Sequence, residues 1–576
     1  MVGGGVGPDR RRRLVGLGVA VLLVAACRPE PPEAPSTTTV PPLPAVTASE
    51  TVAATEPAGG TFRYALQEPA AIVPPLATEP NSLAVVDALF DSLTAYDHSL
   101  RVVESAAISW AVETSTAATA TAETVTVWTF TLRPDATFHD DPATPVTAAD
   151  FKFSWEQAVT AGPVGYHLRD VEGYQALRDG TATVLAGVVA VDPHTLSVRL
   201  AHPRADFPAV VAHPALGPVP AGRWRADEAA FREQPVGNGP FRAGEPWVHD
   251  QFIRADAFEG WRNGSVPPAI DEVIFRISDP DTGYLAFQQG RRDFATVPPG
   301  ALTSALEDFP PTARGGYRGP GVLLGPVPVL YFLGFNVTEP PFDEPEVRRA
   351  MSMAVNRQAL QEDNLEGNVL AARAAVPPPI PGARPNTCPA CAYDPAQARR
   401  IFTEHGVSTV TLWFNRGGGH EDIAQQVRGN LAGVGVTVRF RSEPVNGTFS
   451  DYLDVLAAGE AGLFRFGWAP ENATLHEALV PLFHSRATPG AGGQNYMRYA
   501  DAEVDALLDA ADATHGAADR TRRYQQAEDI ALGRDQVIVP LFTYRHRAVA
   551  GERAQNLVYN PFGLLNIEEI VLTEPE

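Results

Sequence analysis

The chain has 576 residues, which is too long for one small core and predicts about two to four domains. Its 44% hydrophobic and 20% charged residues are typical of a globular protein, and its formal net charge of −23 argues against a nucleic acid as the main partner. The single lysine, Lys152, follows Phe151, so the sequence contains no Walker phosphate-binding loop.

The N-terminus carries an export signal. Arg10–Arg13 precede the apolar run Leu14–Ala26, which is too short to span a bilayer comfortably, so residues 1–26 are predicted to be a signal peptide. The run ends in VAAC, which resembles a bacterial lipobox and predicts cleavage before Cys27 and diacylation of its thiol. An ordinary signal peptide with an incidental cysteine is the alternative. Residues 27–58 are rich in Pro and Thr without periodicity, and are predicted to be a disordered tether.

The next clear pattern is a strand, a turn and a helix. Large apolar residues alternate as in a half-buried strand at Trp128, Phe130 and Leu132. The following FHDD, residues 138–141, offers an imidazole and two carboxylates, which is the raw material of a metal site or an acid–base pair. Because Thr147 and Asp150 then have the spacing of a helix capping box, the cluster lies between a strand and a helix and is predicted to be a structural turn.

Two further segments support an α/β fold. A Pro-Pro turn before Asp343 and Glu346, which have the spacing of a capping pair, predicts a strand–turn–helix unit there. The run VIVPLFTYRH, residues 537–546, is continuously apolar at its start and predicts a strand buried on both faces. Strands and helices alternate through most of the chain, with no internal repeat.

Cys388 and Cys391 form a C-x-x-C motif, which is compatible with a redox motif, half of a zinc site or a small disulfide. Zinc needs two further thiol or imidazole ligands, and no second C-x-x-C exists. A thioredoxin-type motif should open a helix after a strand, whereas this one follows the loop sequence VPPPIPGARP. An oxidising compartment favours the local disulfide. No cofactor or metal is predicted.

The segment WTFTLRPDATFHDDPATPVTAADFKFSWEQA resembles the signature of the family 5 extracellular solute-binding proteins, which are peptide-binding receptors of ABC importers. Blocks such as PVGNGPFR at 235–242 and YFLGFNVTEPPFDEPEVRRAMSMAVNR at 331–357 match in the family's order, and the resemblance covers essentially everything after the tether. The family's FHDG turn is structural, and this chain departs from it only at Asp141.

The resemblance implies an α/β, periplasmic-binding-protein-like type II fold with two lobes, a hinge and an extra subdomain inserted in lobe I. Carried over to this chain, lobe I comprises residues 59–105, 235–328 and 541–576, the inserted subdomain residues 106–234, and lobe II residues 329–540. Ligand is then expected in the cleft between lobes I and II, which closes around it by a hinge motion.

Dipeptide-binding relatives carry a Trp-x-x-Asp whose carboxylate pairs with the peptide's α-amino group. This chain has Trp468 and, in place of the aspartate, Glu471. Asn415 and Arg416 lie at a predicted strand end, the usual place for ligand contacts in α/β folds. The other candidate cleft residues are Asn495, Tyr496 and the hinge-adjacent Tyr331. A core or surface role is the structural alternative for each of them.

These features predict a lipid-anchored, extracytoplasmic receptor that delivers peptides to the permease subunits of an ABC transporter. It is expected at the cell membrane, on the periplasmic side or the cell surface, as a monomer without a nucleic-acid partner. A nickel chelate, haem, an oligosaccharide or an opine is the alternative cargo. A secreted hydrolase is the third hypothesis, although the sequence has no H-E-x-x-H and no G-x-S-x-G motif.

Overall fold

The computed structural model describes residues 59–116, 124–264, 267–313, 316–364, 368–442, 448–489 and 493–573. The predicted signal peptide, the lipidation site at Cys27 and the tether at residues 27–58 lie outside the described residues. None of the helices within the described ranges combines the length and apolar character that a membrane crossing requires.

The strands form two large mixed sheets, a smaller antiparallel sheet and two short ribbons. In chain order they are β1 Thr61–Leu66, β2 Thr94–Tyr96, β3 Val102–Glu104, β4 Ala107–Thr116, β5 Thr124–Leu132, β6 Val188–Asp192, β7 Thr195–Leu200, β8 Phe241–Ala243, β9 Phe252–Ala257, β10 Glu272–Ile277, β11 Phe294–Thr296, β12 Gly321–Leu323, β13 Pro326–Phe335, β14 Val369–Ala371, β15 Thr409–Trp413, β16 Thr437–Arg441, β17 Leu463–Trp468, β18 Ile538–Arg545, β19 Ala548–Ala550, β20 Ala554–Gln555 and β21 Val571–Leu572.

The helices are distributed among these strands. In chain order they are α1 Pro80–Leu89, α2 Ala148–Thr160, α3 Tyr174–Arg178, α4 Phe207–Val210, α5 Ala221–Ala226, α6 Glu228–Glu233, α7 Pro280–Gln288, α8 Leu302–Asp308, α9 Pro345–Ala354, α10 Arg357–Ala359, α11 Pro395–Glu404, α12 His420–Gly433, α13 Phe449–Ala458, α14 Leu475–Phe483, α15 Ala502–Asp512 and α16 Ala517–Glu528.

The first large sheet has seven strands in the order β12-β19-β11-β1-β10-β9-β8. Strand β1 lies inside it and runs parallel to both β10 and β11. Phe62, Phe241 and Phe275 from three different strands are buried together in its core. This sheet therefore assembles segments from the beginning, the middle and the end of the described chain.

The second large sheet has six strands in the order β14-β18-β13-β17-β15-β16. Residues 538–543 of β18 are all buried, which confirms the prediction of a strand covered on both faces. Phe332 and Phe464 pack into the core on one face, while Leu333 and Val539 pack into the core on the other. Strand β18 remains in this sheet as far as Arg545.

The smaller sheet has the antiparallel order β4-β5-β7-β6. The predicted apolar face of β5 is buried, with Trp128, Phe130 and Leu132 at most 5% exposed. Helix α2 has the predicted capping box, in which Asp150 accepts hydrogen bonds from the backbone and hydroxyl of Thr147. The periodicity of this region was therefore sufficient to predict its local structure.

The FHDD cluster forms contacts typical of a turn. His139 Nε2 lies 2.9 Å from the carbonyl oxygen of Gly239, and burial lowers the pKa of His139 to about 4. Asp140 accepts hydrogen bonds from the backbone N–H and the hydroxyl of Thr144 at 2.9 and 3.0 Å. These side chains fix the corner between β5 and α2.

The described chain passes between the two large sheets at two short connections, residues 324–325 and 546–547. Arg545 Nε donates to the carbonyl oxygen of Leu324 at 2.7 Å, and the His546 backbone N–H donates to that of Gly325 at 2.8 Å. The two connections therefore lie side by side. Because they are short and adjacent, a rotation of one sheet against the other would change few backbone torsion angles.

One sequence prediction near α9 is wrong. The cap position is Glu344 without a side-chain hydrogen bond, and not Asp343. Pro345 occupies the first helical position, where its missing N–H needs no partner, so the helix begins one residue later than the predicted capping pair requires. Cys388 and Cys391 are joined by a disulfide, which is the alternative that the sequence favoured for this C-x-x-C motif.

Candidate ligand site after strand β17

Glu471 lies in the loop between β17 and α14, at the end of a central strand. The loop is held by Tyr96 of β2, whose hydroxyl accepts from the Ala473 backbone N–H at 3.1 Å and donates to the Ala209 carbonyl at 2.7 Å. Trp468 Nε1 donates to the carbonyl oxygen of Glu477 in α14 at 2.6 Å. The loop that carries the predicted ammonium-binding carboxylate is therefore tied at both ends.

The Glu471 carboxylate is half-buried, and its environment disfavours the negative charge. Burial raises its pKa, and the nearby carboxylate of Glu477 raises it further. A hydrogen bond from the Tyr166 hydroxyl and the positive charge of Arg169 oppose this shift without cancelling it. Arg169 Nη2 bonds to Glu477 at 2.8 Å, and no described residue forms a salt bridge with Glu471. A cationic ligand would relieve this uncompensated charge.

Two histidines lie beside Glu471. The rings of His167 and His213 are 4.2 Å apart between centroids, and one ligand atom from each, together with one from Glu471, all lie within 4.8 Å of one another. Burial lowers the pKa of His213 to about 4 and that of His167 well below its usual range, so both rings are uncharged at neutral pH. His213 Nδ1 accepts the Ala215 backbone N–H at 3.2 Å.

A buried ionic network supports this pocket. Arg204, only 2% exposed, bonds to Asp170 at 2.6 Å, to Asp206 at 3.1 Å and to Glu477 at 2.7 Å. Burial alone would raise the pKa of Glu477, but the charges of Arg169 and Arg204 outweigh it and hold that pKa below its ordinary value. The network joins the segment that contains His167 to α14, and so fixes the distance between the histidines and Glu471.

The predicted site residues do not form one group. Trp468 ends β17, and Glu471 lies three residues later in the loop just described. Tyr331 is 1% exposed, its hydroxyl lies 3.2 Å from His420 Nδ1, and Arg465 lies over its ring. Arg465 and Trp468 are three residues apart on β17 and therefore point to opposite faces of the sheet. The structure places Tyr331 in the core of the other face.

Asn415 and Arg416 lie at the end of β15, as predicted. Asn415 accepts a hydrogen bond from Arg465 Nη1 at 3.1 Å, and the exposed Arg416 donates to Ser442 Oγ at 3.2 Å. Their polar groups thus face Arg465 and β16, and no described contact connects them to Glu471. They remain candidates for a second ligand contact on this side of the sheet.

Asn495 and Tyr496 have structural roles in this conformation. Asn495 is fully buried, and its amide donates to the carbonyls of His484 and Tyr499 while its oxygen accepts the Tyr499 N–H. Tyr496 is 6% exposed and packs against Phe466 at 5.1 Å between ring centroids. In this conformation the Asn495 amide is bonded within its own loop and the Tyr496 ring is buried against Phe466, so a contact of either residue with ligand stays a prediction.

The sequence is similar to a known protein family and to individual proteins of that family. The sequence model described as bacterial extracellular solute-binding proteins, family 5 Middle, matches residues 50–490. Glutathione-binding protein GsiB of Escherichia coli strain K12 is 26% identical over 528 residues, which are 90% of this chain and 91% of that protein. GsiB of Salmonella typhimurium is 29% identical over 365 residues, which are 62% of this chain and 68% of that protein.

Solved structures of similar proteins share the fold. The unliganded open form of the murein tripeptide-binding protein MppA superposes with a TM-score of 0.78 at 22% identity, covering 90% of this chain and 98% of that one. OppA of Haemophilus influenzae, in complex with RPPGFSPFR, gives 0.63 at 21% identity over 90% and 99% of the two chains. These likenesses confirm the predicted α/β, periplasmic-binding-protein-like type II fold with two lobes.

Proposed function

The chain belongs to the bacterial extracellular solute-binding proteins of family 5, and from this premise we propose that it captures peptides for an ABC importer by binding their free α-amino group at Glu471. The observation that carries the proposal is the half-buried Glu471 carboxylate, which lacks a salt bridge among the described residues and follows a central strand. A peptide ammonium supplies the missing charge. The protein acts outside the cytoplasm and passes its ligand on unchanged.

We assign the seven-stranded sheet to lobe I, the six-stranded sheet to lobe II and the four-stranded sheet to the inserted subdomain, with boundaries near residues 106, 235, 329 and 541. Because β18 stays in the six-stranded sheet to Arg545, the last boundary falls slightly beyond residue 541. Rotation about the paired connections 324–325 and 546–547 then closes the cleft, and ligand favours the closed state by its contacts with both lobes.

The names of the relatives favour a peptide as the cargo. They specify glutathione, murein tripeptide and, for the complex of OppA, a nine-residue peptide, and all of these are peptides. The pocket of this chain differs in one respect that bears on selectivity, since a glutamate stands where dipeptide-binding relatives have an aspartate. Its longer side chain places the carboxylate further from the backbone, so the preferred peptide is expected to differ from that of those relatives.

The receptor and hydrolase hypotheses predict different fates for the ligand. Peptides incubated with the full purified chain should bind with micromolar or better affinity, about −8 kcal/mol, and be recovered intact. Calorimetry measures the affinity, and mass spectrometry of the recovered peptide measures its integrity. Cleavage in proportion to the protein concentration, surviving repurification, would identify an enzyme and refute the receptor hypothesis.

We further propose that Cys27 carries the lipid anchor. Cys27→Ser should release the protein from the membrane fraction, because it removes the acyl chains that are the proposed attachment. Two chains on this residue would anchor the protein stably, whereas one chain anchors only marginally. The measurement is the partition between membrane and soluble fractions of the producing cells, with Cys391→Ser as the matched control that leaves the anchor in place. Retention of Cys27→Ser in the membrane fraction at the wild-type level would disprove the anchor.

A further inference from the structure

We propose that His167, His213 and Glu471 form a site for one divalent transition-metal ion of the zinc type. The site lies between two short helical turns, one containing His167 and the other capped by His213, and the loop after β17. It goes beyond peptide capture, because it requires no peptide and is measured without one, and an ion bound there competes with a peptide ammonium for Glu471.

The three side chains converge closely enough for one ion. A ligand atom from each lies within 4.8 Å of the other two. Tetrahedral zinc, with ligand distances of about 2.0–2.2 Å, requires its ligand atoms about 3.4 Å apart. Glu471 lies in a loop and His213 is half-buried, so small side-chain rotations close the remaining gap while the buried His167 stays fixed.

A second, independent observation is an unsatisfied buried nitrogen. His167 is 4% exposed, and its Nε2 has no hydrogen-bond partner among the described residues. Buried polar atoms in native proteins are normally paired, and those that are not require an explanation. A metal ion held together with His213 and Glu471 satisfies this nitrogen.

The donor set matches the chemistry of zinc. Two uncharged imidazoles and one carboxylate form the His₂Glu set that leaves a coordination position open for water or a ligand. His213 Nδ1 accepts a long hydrogen bond of 3.2 Å from Ala215, so binding through its Nε2 requires the ring proton to move to Nδ1 and this bond to break. The proton shift lowers the affinity relative to a preformed site but does not block the ligand atom.

The charges around the three side chains act in opposite directions on a bound cation. Arg169 lies close enough to influence His167 and Glu471, but its guanidinium is bonded to Glu477. The positive charges of Arg169 and Arg204 disfavour a further cation at His167. At Glu471 the neighbouring carboxylate of Glu477 disfavours the negative charge, and a divalent ion bound there would offset this repulsion.

Calorimetric titration of the full chain with zinc chloride, after dialysis against a chelator, should give one ion per chain. His167→Gln, His213→Gln and Glu471→Gln should each weaken binding by at least about a hundredfold, which exceeds the typical effect of losing an outer-shell partner. The matched control is His249→Gln, because His249 is exposed and also lies between two carboxylates, Glu68 and Glu233. It should bind zinc as the wild type does.

Cobalt(II) provides a second measurement that does not depend on the variants folding. The wild-type complex should show the intense visible absorption of four- or five-coordinate cobalt, and excess zinc should abolish it. Zinc binding that survives in His167→Gln, or that is lost in His249→Gln, would overturn the proposal. A cobalt spectrum that stays that of the hexaaqua ion in the presence of the wild type would also overturn it. Loss of peptide binding in Glu471→Gln with no zinc bound by the wild type would refute the metal site and leave the receptor function standing.

Discussion

Glu471→Gln should weaken the binding of a peptide with a free α-amino group by about two to three orders of magnitude. A cleft that closes over an ammonium group must supply a counter-charge, because a buried ion left without its partner costs about 3–5 kcal/mol. Glutamine keeps the volume of the side chain and removes the charge, and each factor of ten in affinity corresponds to about 1.4 kcal/mol. Calorimetry with the same peptide on both proteins measures the loss.

The same substitution should leave the ligand-free protein as stable as the wild type. Burial raises the pKa of Glu471 and the like charge of Glu477 raises it further, so the ionised side chain does not stabilise the empty pocket. Glu460→Gln, an exposed glutamate just before the same strand, is the matched control and should bind the peptide normally. An N-acetylated peptide, which lacks the ammonium group, should bind the wild type poorly, and its affinity for Glu471→Gln should be similar. Equal affinity of the wild type and Glu471→Gln for the free peptide would show that Glu471 is not the anchor.

The fold could be predicted from the sequence where the signal is local. The alternation at Trp128, Phe130 and Leu132 and the continuous apolar run of β18 report how many faces of a strand are covered, and both predictions are confirmed. The helix start at α9 differs by one residue from the predicted capping pair, because Pro345 takes the first helical position and the residue before it, Glu344, becomes the cap. The order of strands in the two large sheets depends on pairings between distant segments, and only the resemblance to a known family supplied it.

The candidate site was less accessible to prediction for the same reason. A motif indicates Glu471, but the residues around it are distant in sequence, as the separation of 308 positions between Arg169 and Glu477 illustrates. The local signal was the sequence GYHLRD, which places a tyrosine, a histidine and two charges together, and it carries no motif. Tyr331 and Asn495 show that a sequence can also indicate cleft residues that are in fact buried. Their positions in a strand and in a polar loop are typical of ligand-contacting residues, and only the structure shows that both side chains are buried.

Arg204→Met should lower the free energy of unfolding by about 3–5 kcal/mol, because it leaves buried carboxylates without their partner. Arg204 contacts Asp170, Asp206 and Glu477, and Glu477 alone retains a second guanidinium, that of Arg169. Methionine preserves most of the apolar volume, so the loss reports charge and not a cavity. Urea denaturation followed by tryptophan fluorescence measures the change.

The pH dependence separates this electrostatic cause from a packing defect. In the wild type burial alone would raise the pKa values of Asp170 and Asp206, but the charges of Arg204, His476 and a second nearby guanidinium together outweigh it and lower both pKa values. These carboxylates therefore stabilise the fold above their unfolded pKa, and the contribution is lost as the pH falls through the folded values. Without Arg204 the largest charge that opposes burial is lost, so we expect both pKa values to rise above their unfolded values, and protonation as the pH falls then stabilises the variant relative to its state at neutral pH. The difference in unfolding free energy should therefore be smaller at pH 5 than at pH 7. Arg101→Met is the matched control, because Arg101 is 66% exposed beside Asp97 and such pairs contribute at most about 1 kcal/mol. A difference between wild type and Arg204→Met that stays constant from pH 7 to pH 5 would assign the effect to packing instead.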